Sequence, residues 1–139
     1  MILLDTNVLS GLMQHVPDQQ LVEWLDDQPV ESIWTTAITV FEIRMGLELF
    51  APGRRRQQLE QAFHRLLTEH LEGRIQTFDR TAAMAAGTIA ASRQRAGRIL
   101  EIRDLQIAGI ATARRASVAT RNVRHFEGLG LDVIDPWST

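Results

Sequence analysis

The sequence predicts an α/β fold: a three-layer α/β/α sandwich around a central, mostly parallel sheet. Three observations point there. Short apolar runs bounded by polar residues recur along the chain, the form taken by strands buried on both faces. Longer stretches with apolar residues three and four apart lie between them, so strands alternate with helices and helical crossovers imply parallel pairing. One of these stretches, Arg103 to Arg115, is apolar on most sides (Leu105, Ile107, Ala108, Ile110, Ala111, Ala113), which places it in the interior.

In chain order, Met1-Ile2-Leu3-Leu4 reads as a buried strand that stops at Asp5, and Thr6 to Met13 reads as a short helix. Pro17-Asp18 breaks the chain, and Asp18 caps a helix carrying Leu21, Trp24 and Leu25 that ends at Gln28-Pro29. Ser32 to Thr36 has the β-branched and aromatic bias of a second strand. The helix from about Thr39 to Phe50 shows Ile38, Phe41, Met45 and Leu49 at helical spacing, and these are expected to face the core. Pro52-Gly53 closes it. Arg54 to Leu71 forms the next helix, with Leu59, Phe63, Leu66 and Leu67 inward. Arg74 to Phe78 is a short strand, and Asp79 reads as the N-cap of an alanine-rich helix from Ala82 to about Ala96. A loop over Arg98 to Ile102 leads to the buried helix. Strands at Ser117 to Thr120 and Leu131 to Asp135 complete the pattern, with Gly128-Leu129-Gly130 turning the chain between them.

A chain of 139 residues makes one domain over 1–139 the natural count and is long enough to bury a core. Its 45% hydrophobic and 23% charged content is ordinary for a soluble globular protein. No apolar run approaches the ~18 residues of a transmembrane helix, and the opening run lacks the basic lead of a signal peptide. The absence of cysteine excludes disulfides and thiolate metal sites and fits the cytoplasm. A net charge of −2 lacks the basic excess of many nucleic-acid binders, yet all 15 basic residues are arginine, whose guanidinium fork matches phosphate oxygens. Genomic base composition produces the same bias. The arginines cluster at 54–56, at 93, 95 and 98, at 114–115, and at 121 and 124.

The acids carry the chemistry. Asp5 ends the first strand, either as a helix cap or as the first member of a site. Glu42 lies on the supposed packing side of its helix, between Ile38 and Met45, where a carboxylate is costly unless paired with an arginine such as Arg44 or Arg114, or bound to a cation. Asp104 stands in the first turn of the buried helix, where the helix dipole also favours an acid. Asn122 follows the next strand. Strand ends and helix starts of a parallel sheet collect at one edge, so these four residues could converge. Three carboxylates about 5 Å apart would repel by roughly 3 kcal/mol per pair at an effective dielectric near 20. Such a cluster needs protonation or a cation. All-oxygen ligation favours Mg²⁺ or Mn²⁺ over zinc, and the matching chemistry is metal-dependent phosphodiester hydrolysis with arginines on the phosphate backbone.

Five stretches resemble PIN domains, especially the VapC/FitB-type toxin ribonucleases. They are Leu3-Leu4-Asp5-Thr6-Asn7-Val8-Leu9-Ser10, Thr39 to Gly46 around Glu42, Ile102 to Ala108 around Asp104, Ala119-Thr120-Arg121-Asn122, and Phe126-Glu127-Gly128 running on to Asp135-Pro136-Trp137. Each is weak alone; in this order they span essentially the whole chain. The resemblance implies a PIN-like sandwich and a Mg²⁺- or Mn²⁺-dependent endoribonuclease. It further implies the toxin of a type II toxin–antitoxin pair, a homodimer silenced by a small antitoxin through which alone it meets operator DNA. It implies that Asp5, Glu42 and Asp104 are the catalytic and metal-binding acids, with Asn122 beside them, and that Thr6, Asn7, Thr120 and Arg121 orient the site or its substrate. Asn122 departs from the family, many of whose members carry a fourth acid there or three residues later, where this chain has His125. One protein-bound metal is therefore the simpler expectation.

Glu101 reads as a solvated loop residue, and His15, His64, His70 and His125 as surface or structural. Two other readings stand beside the nuclease. One is a PIN domain that has lost catalysis and acts by binding RNA or its antitoxin. The other is a phosphatase with Asp5 as nucleophile, resembling the haloacid dehalogenase group, which wants an acid where this chain has Asn7.

Overall fold

A computed structural model gives the structure of the chain and describes residues 1–138. Five strands form one sheet, and every pairing in it is parallel: β1 (Ile2–Leu4), β2 (Ile33–Thr36), β3 (Ile75–Gln76), β4 (Ser117–Ala119) and β5 (Val133–Ile134), in the order β3-β2-β1-β4-β5. Six α-helices connect them: α1 (Thr6–Leu12), α2 (Gln19–Asp26), α3 (Ala37–Leu49), α4 (Arg54–Arg65), α5 (Arg80–Arg95) and α6 (Ile102–Arg114). This is the expected three-layer sandwich.

Successive residues of a strand point to opposite faces. Leu4 therefore joins a core with Val8, Leu9, Leu21, Trp24, Ile43, Leu47, Leu59 and Phe63 from α1 to α4, while Leu3 joins one with Ala82, Ile107, Ala108, Ile110 and Ala111 from α5 and α6. Val118 and Ala119 divide in the same way. The α5–α6 pair is the most extensive contact between elements. It is close because α6 carries Gly109 where a Cβ would stand 2.5 Å from the Ala82 carbonyl oxygen and 2.6 Å from the Ala86 Cβ.

Capping follows the sequence expectation. Asp18 accepts hydrogen bonds from the Gln20 and Leu21 amides, and Asp79 accepts one from Ala82. Two boundaries move. Glu101 is exposed and lies just outside the helix, as expected, but it also caps α6, which starts at Ile102, its carboxylate accepting from the Arg103 amide at 2.8 Å. The helix after Gly53 widens into a π turn over Leu66–His70.

The larger correction concerns α3. The row Phe41, Met45, Leu49, expected in the core, is exposed (58%, 40% and 80%), and the buried side is Thr39, Ile43 and Leu47. Only Ile38 of the expected row is packed, and partly, against the α5–α6 core. A helix this apolar all round gives periodicity no face to choose.

Candidate active site

The sheet changes direction of travel between β1 and β4: the chain goes outward through β2 and β3, then returns to the far side of β1. Helices leave such a switch point on opposite faces, opening a crevice at the strands' C-terminal ends. Asp5 sits there, its backbone N–H donating to the Ala119 carbonyl on β4 at 2.9 Å.

Thr120, one residue past β4 and fully buried, organises the crevice. Its hydroxyl donates to Asp5 Oδ2 at 2.7 Å and accepts from Asn7 Nδ2 at 3.2 Å and from the Asn122 amide at 3.0 Å. One donor and two lone pairs are thus all engaged. The Thr6 amide donates to Asp5 Oδ1 at 2.8 Å, and the Thr6 hydroxyl donates to Glu42 Oε1 at 3.1 Å. Asn7 Oδ1 accepts from the Arg121 amide, while the Arg121 guanidinium lies over the Trp137 ring, 4.4 Å from its centroid.

The resulting pocket, about 520 Å³, is lined by Asp5, Thr6, Asn7, Ser10, Glu42, Glu101, Arg103, Asp104, Asn122 and His125. The three expected acids are therefore in one cavity, with Thr6, Asn7 and Asn122. Thr120 lies beneath it, and Arg121 takes part through its backbone. Sequence reading missed four of the lining residues: Ser10, Glu101, His125 and Arg103. His125, read as a surface or structural residue, puts Nδ1 2.9 Å from Asp104 Oδ2. The cation facing Glu42 is Arg103, at 3.9 Å, and neither Arg44, which pairs with Glu48, nor Arg114, which pairs with Asp79. No residue pattern marks either contact; Arg103 shows only as a charge beside Asp104.

The electrostatics single the pocket out. Burial pushes the carboxyl of Asp5 up from its ordinary value, against the Thr120 and Thr6 hydrogen bonds that pull it down. Burial likewise raises Glu42, offset by the Thr6 hydroxyl and increased by Asp5, and raises Asp104, offset by His125 and increased by Asp5. Glu42 and Asp104 thus each feel Asp5 as a like charge. Among the described residues no group of three His, Cys, Asp or Glu side chains is gathered so as to hold one ion. Each carboxylate rests instead on a partner of its own: Asp5 on Thr120, Glu42 on Thr6 and Arg103, Asp104 on His125. In donor chemistry the set suits a hard divalent cation, being three buried or half-buried carboxylates whose ionisation a positive charge would favour.

The PIN domain family matches residues 2–129. The chain is 37% identical over 137 residues to VapC ribonuclease Y4jK of Sinorhizobium fredii, covering 99% of this chain and 98% of that protein. It is 33% identical over 137 residues to Toxin FitB of Neisseria gonorrhoeae, covering 99% of both. Among solved structures, that of FitAB bound to the IR36 DNA fragment superposes with a TM-score of 0.89 at 32% identity, covering 100% of this chain and 97% of the other. The chain belongs to the PIN-domain family, as a toxin of the VapC/FitB type.

Proposed function

We propose that this toxin is an endoribonuclease that hydrolyses RNA phosphodiesters with Mg²⁺ or Mn²⁺ held by Asp5, Glu42 and Asp104. The observation that carries the reading is the meeting of these acids, 37 and 62 residues apart in sequence, in one pocket at the sheet's switch point, each with its carboxyl raised by burial. When bound, a divalent ion would supply positive charge opposite the phosphate and help a water lose its proton, so that it could attack phosphorus while one ester P–O bond breaks and the leaving oxygen takes up a proton. The chain's own residues do the positioning. Thr120 and the Thr6 amide hold both oxygens of Asp5, the Thr6 hydroxyl holds one oxygen of Glu42 and leaves the other facing Arg103, and His125 holds one oxygen of Asp104. Asn122 adds a carbonyl without charge, which supports one protein-bound ion.

The same reading makes the chain the toxin of a cytoplasmic toxin–antitoxin pair that reaches operator DNA through a small antitoxin. The DNA-bound FitAB relative supports this. So does an apolar cleft of Met13, Ile43, Leu47, Phe50 and Leu59 that shares Thr6, Ser10 and Glu42 with the acid pocket, where a partner's apolar side chains could cover the site. No helix among the described residues is long and apolar enough to cross a membrane. The exposed row Phe41, Met45, Leu49 supports a homodimer, because three large apolar side chains in line on a surface helix mark an interface.

The test is RNA cleavage by purified protein with Mg²⁺ or Mn²⁺ and after chelation. Cleavage should require the ion and vanish in Asp5→Asn; full activity in that variant overturns the reading. A wild type that cuts no RNA with either ion would point to the binding-only alternative.

A further inference from the structure

Arg103 stands inside the acid pocket, in the first turn of α6 and directly before Asp104. Its Nε donates to Glu101 Oε1 at 2.9 Å, and Glu101 is itself fixed because its other oxygen caps the helix through the Arg103 amide. Anchored there, the guanidinium brings Nη1 to 3.9 Å from Glu42 Oε2, an ion pair too long for a hydrogen bond. The pairing does nothing for the helix start, which the Glu101 cap already serves. It sets one positive charge against three carboxylates that repel one another.

We propose that Arg103 is an internal counter-ion of the pocket: it faces Glu42 at rest, gives Glu42 up to an arriving divalent ion, and then holds a phosphate oxygen of the RNA. The inference rests on the metal-dependent reading above. The ion and Arg103 compete for the same oxygen, Glu42 Oε2. Once Glu42 is neutralised, the terminal nitrogens of Arg103 keep their place beside the pocket because Glu101 still grips Nε. A guanidinium fork so positioned pairs with phosphate oxygens.

One substitution should then move two properties in opposite directions. Calorimetric titration with MnCl₂ of wild type, Arg103→Gln, Arg103→Lys and Asp5→Asn reads the first. Arg103→Gln should bind Mn²⁺ about two- to fivefold more tightly, the range for losing a partly exposed ion pair, and Arg103→Lys should bind it as wild type does. Steady-state cleavage of a labelled single-stranded RNA at saturating Mn²⁺ reads the second. The KM of Arg103→Gln should rise about ten- to a hundredfold, as for a lost charge-assisted hydrogen bond, with kcat less affected. Unchanged or weaker Mn²⁺ binding by Arg103→Gln overturns the counter-ion role, and an unchanged KM overturns the phosphate role. Wild type binding no more Mn²⁺ than Asp5→Asn overturns the metal-dependent reading itself and this inference with it.

Discussion

Two helices of this protein begin alike and end up with opposite chemistry. Both α1 and α5 follow a strand, and both start at an aspartate that accepts a hydrogen bond from the first turn: Asp5 from Thr6, Asp79 from Ala82. Asp79 follows the edge strand β3, is exposed, and pairs with Arg114 at 2.6 Å; the Ala82 amide, then Arg114, hold its carboxyl below the ordinary value. Asp5 follows the central strand, is 6% exposed, has a threonine and no arginine as its partner, and is raised. Both aspartates cap, Asp5 on the adjacent amide and Asp79 on the third one along. What separates a structural aspartate from a candidate catalytic one is the strand it follows, because the middle of the sheet withholds water and a counter-charge.

The sharpest way to break this comparison is to neutralise each acid. Asp5→Asn should lower RNA cleavage by at least about a hundredfold, and Asp79→Asn should leave it unchanged; equal losses in a cleavage assay would erase the distinction. Next is the support beneath Asp5. Thr120→Val keeps the shape but removes the hydroxyl and strands Asp5 Oδ2, so urea unfolding should show about 1–3 kcal/mol of lost stability.

A smaller effect has a definite sign. Asp5, Glu42 and Asp104 have folded pKa values above their ordinary ones, so the folded chain holds protons that the unfolded chain has released. Their contribution to stability is therefore present at low pH and lost as pH rises from about the ordinary values, 3.8 and 4.5, through the raised ones. Metal-free Glu42→Gln should melt a few °C above wild type at pH 7, at about 4 °C per kcal/mol, and the gap should close toward pH 4; a Tm at or below wild type at pH 7 would contradict it. Asp79, with a lowered pKa, contributes in the opposite sense: its stabilisation is present above 3.8 and lost as pH falls through the folded value. Asp79→Ala should thus give the smallest change, a slight Tm decrease at pH 7 that vanishes in acid.

The strands, the caps at Asp18 and Asp79, and the layer order were legible because each is written locally, in apolar runs and in side chains that bond amides two or three residues on. Asp5, Glu42 and Asp104 were legible as types at strand ends and helix starts, and their meeting followed from parallel topology. The route to Glu42 was partly wrong. It was singled out as a carboxylate on a packing face, but that face of α3 carries exposed Phe41 and Met45. Apolar residues left exposed on a helix look, in one sequence, like core. Arg103 and His125 were not legible as pocket members. Arg103 meets Glu42 across 61 positions, and His125 meets Asp104 across 21, contacts no periodicity records.

The absent side chain at Gly109 has a kinetic consequence. Because α6 lies against α5 with no room for a methyl group, the two helices cannot slide or tilt past one another without separating. Amides in the middle of α6, from Ile107 to Ala111, should then exchange with solvent only when the whole molecule opens, whereas the exposed first residues, Glu101 and Ile102, can breathe. Asp104 and Arg103 sit on the last turn before that frozen stretch. The partner exchange proposed for Arg103 would thus take place at the edge of a helix held in place by its close packing on α5.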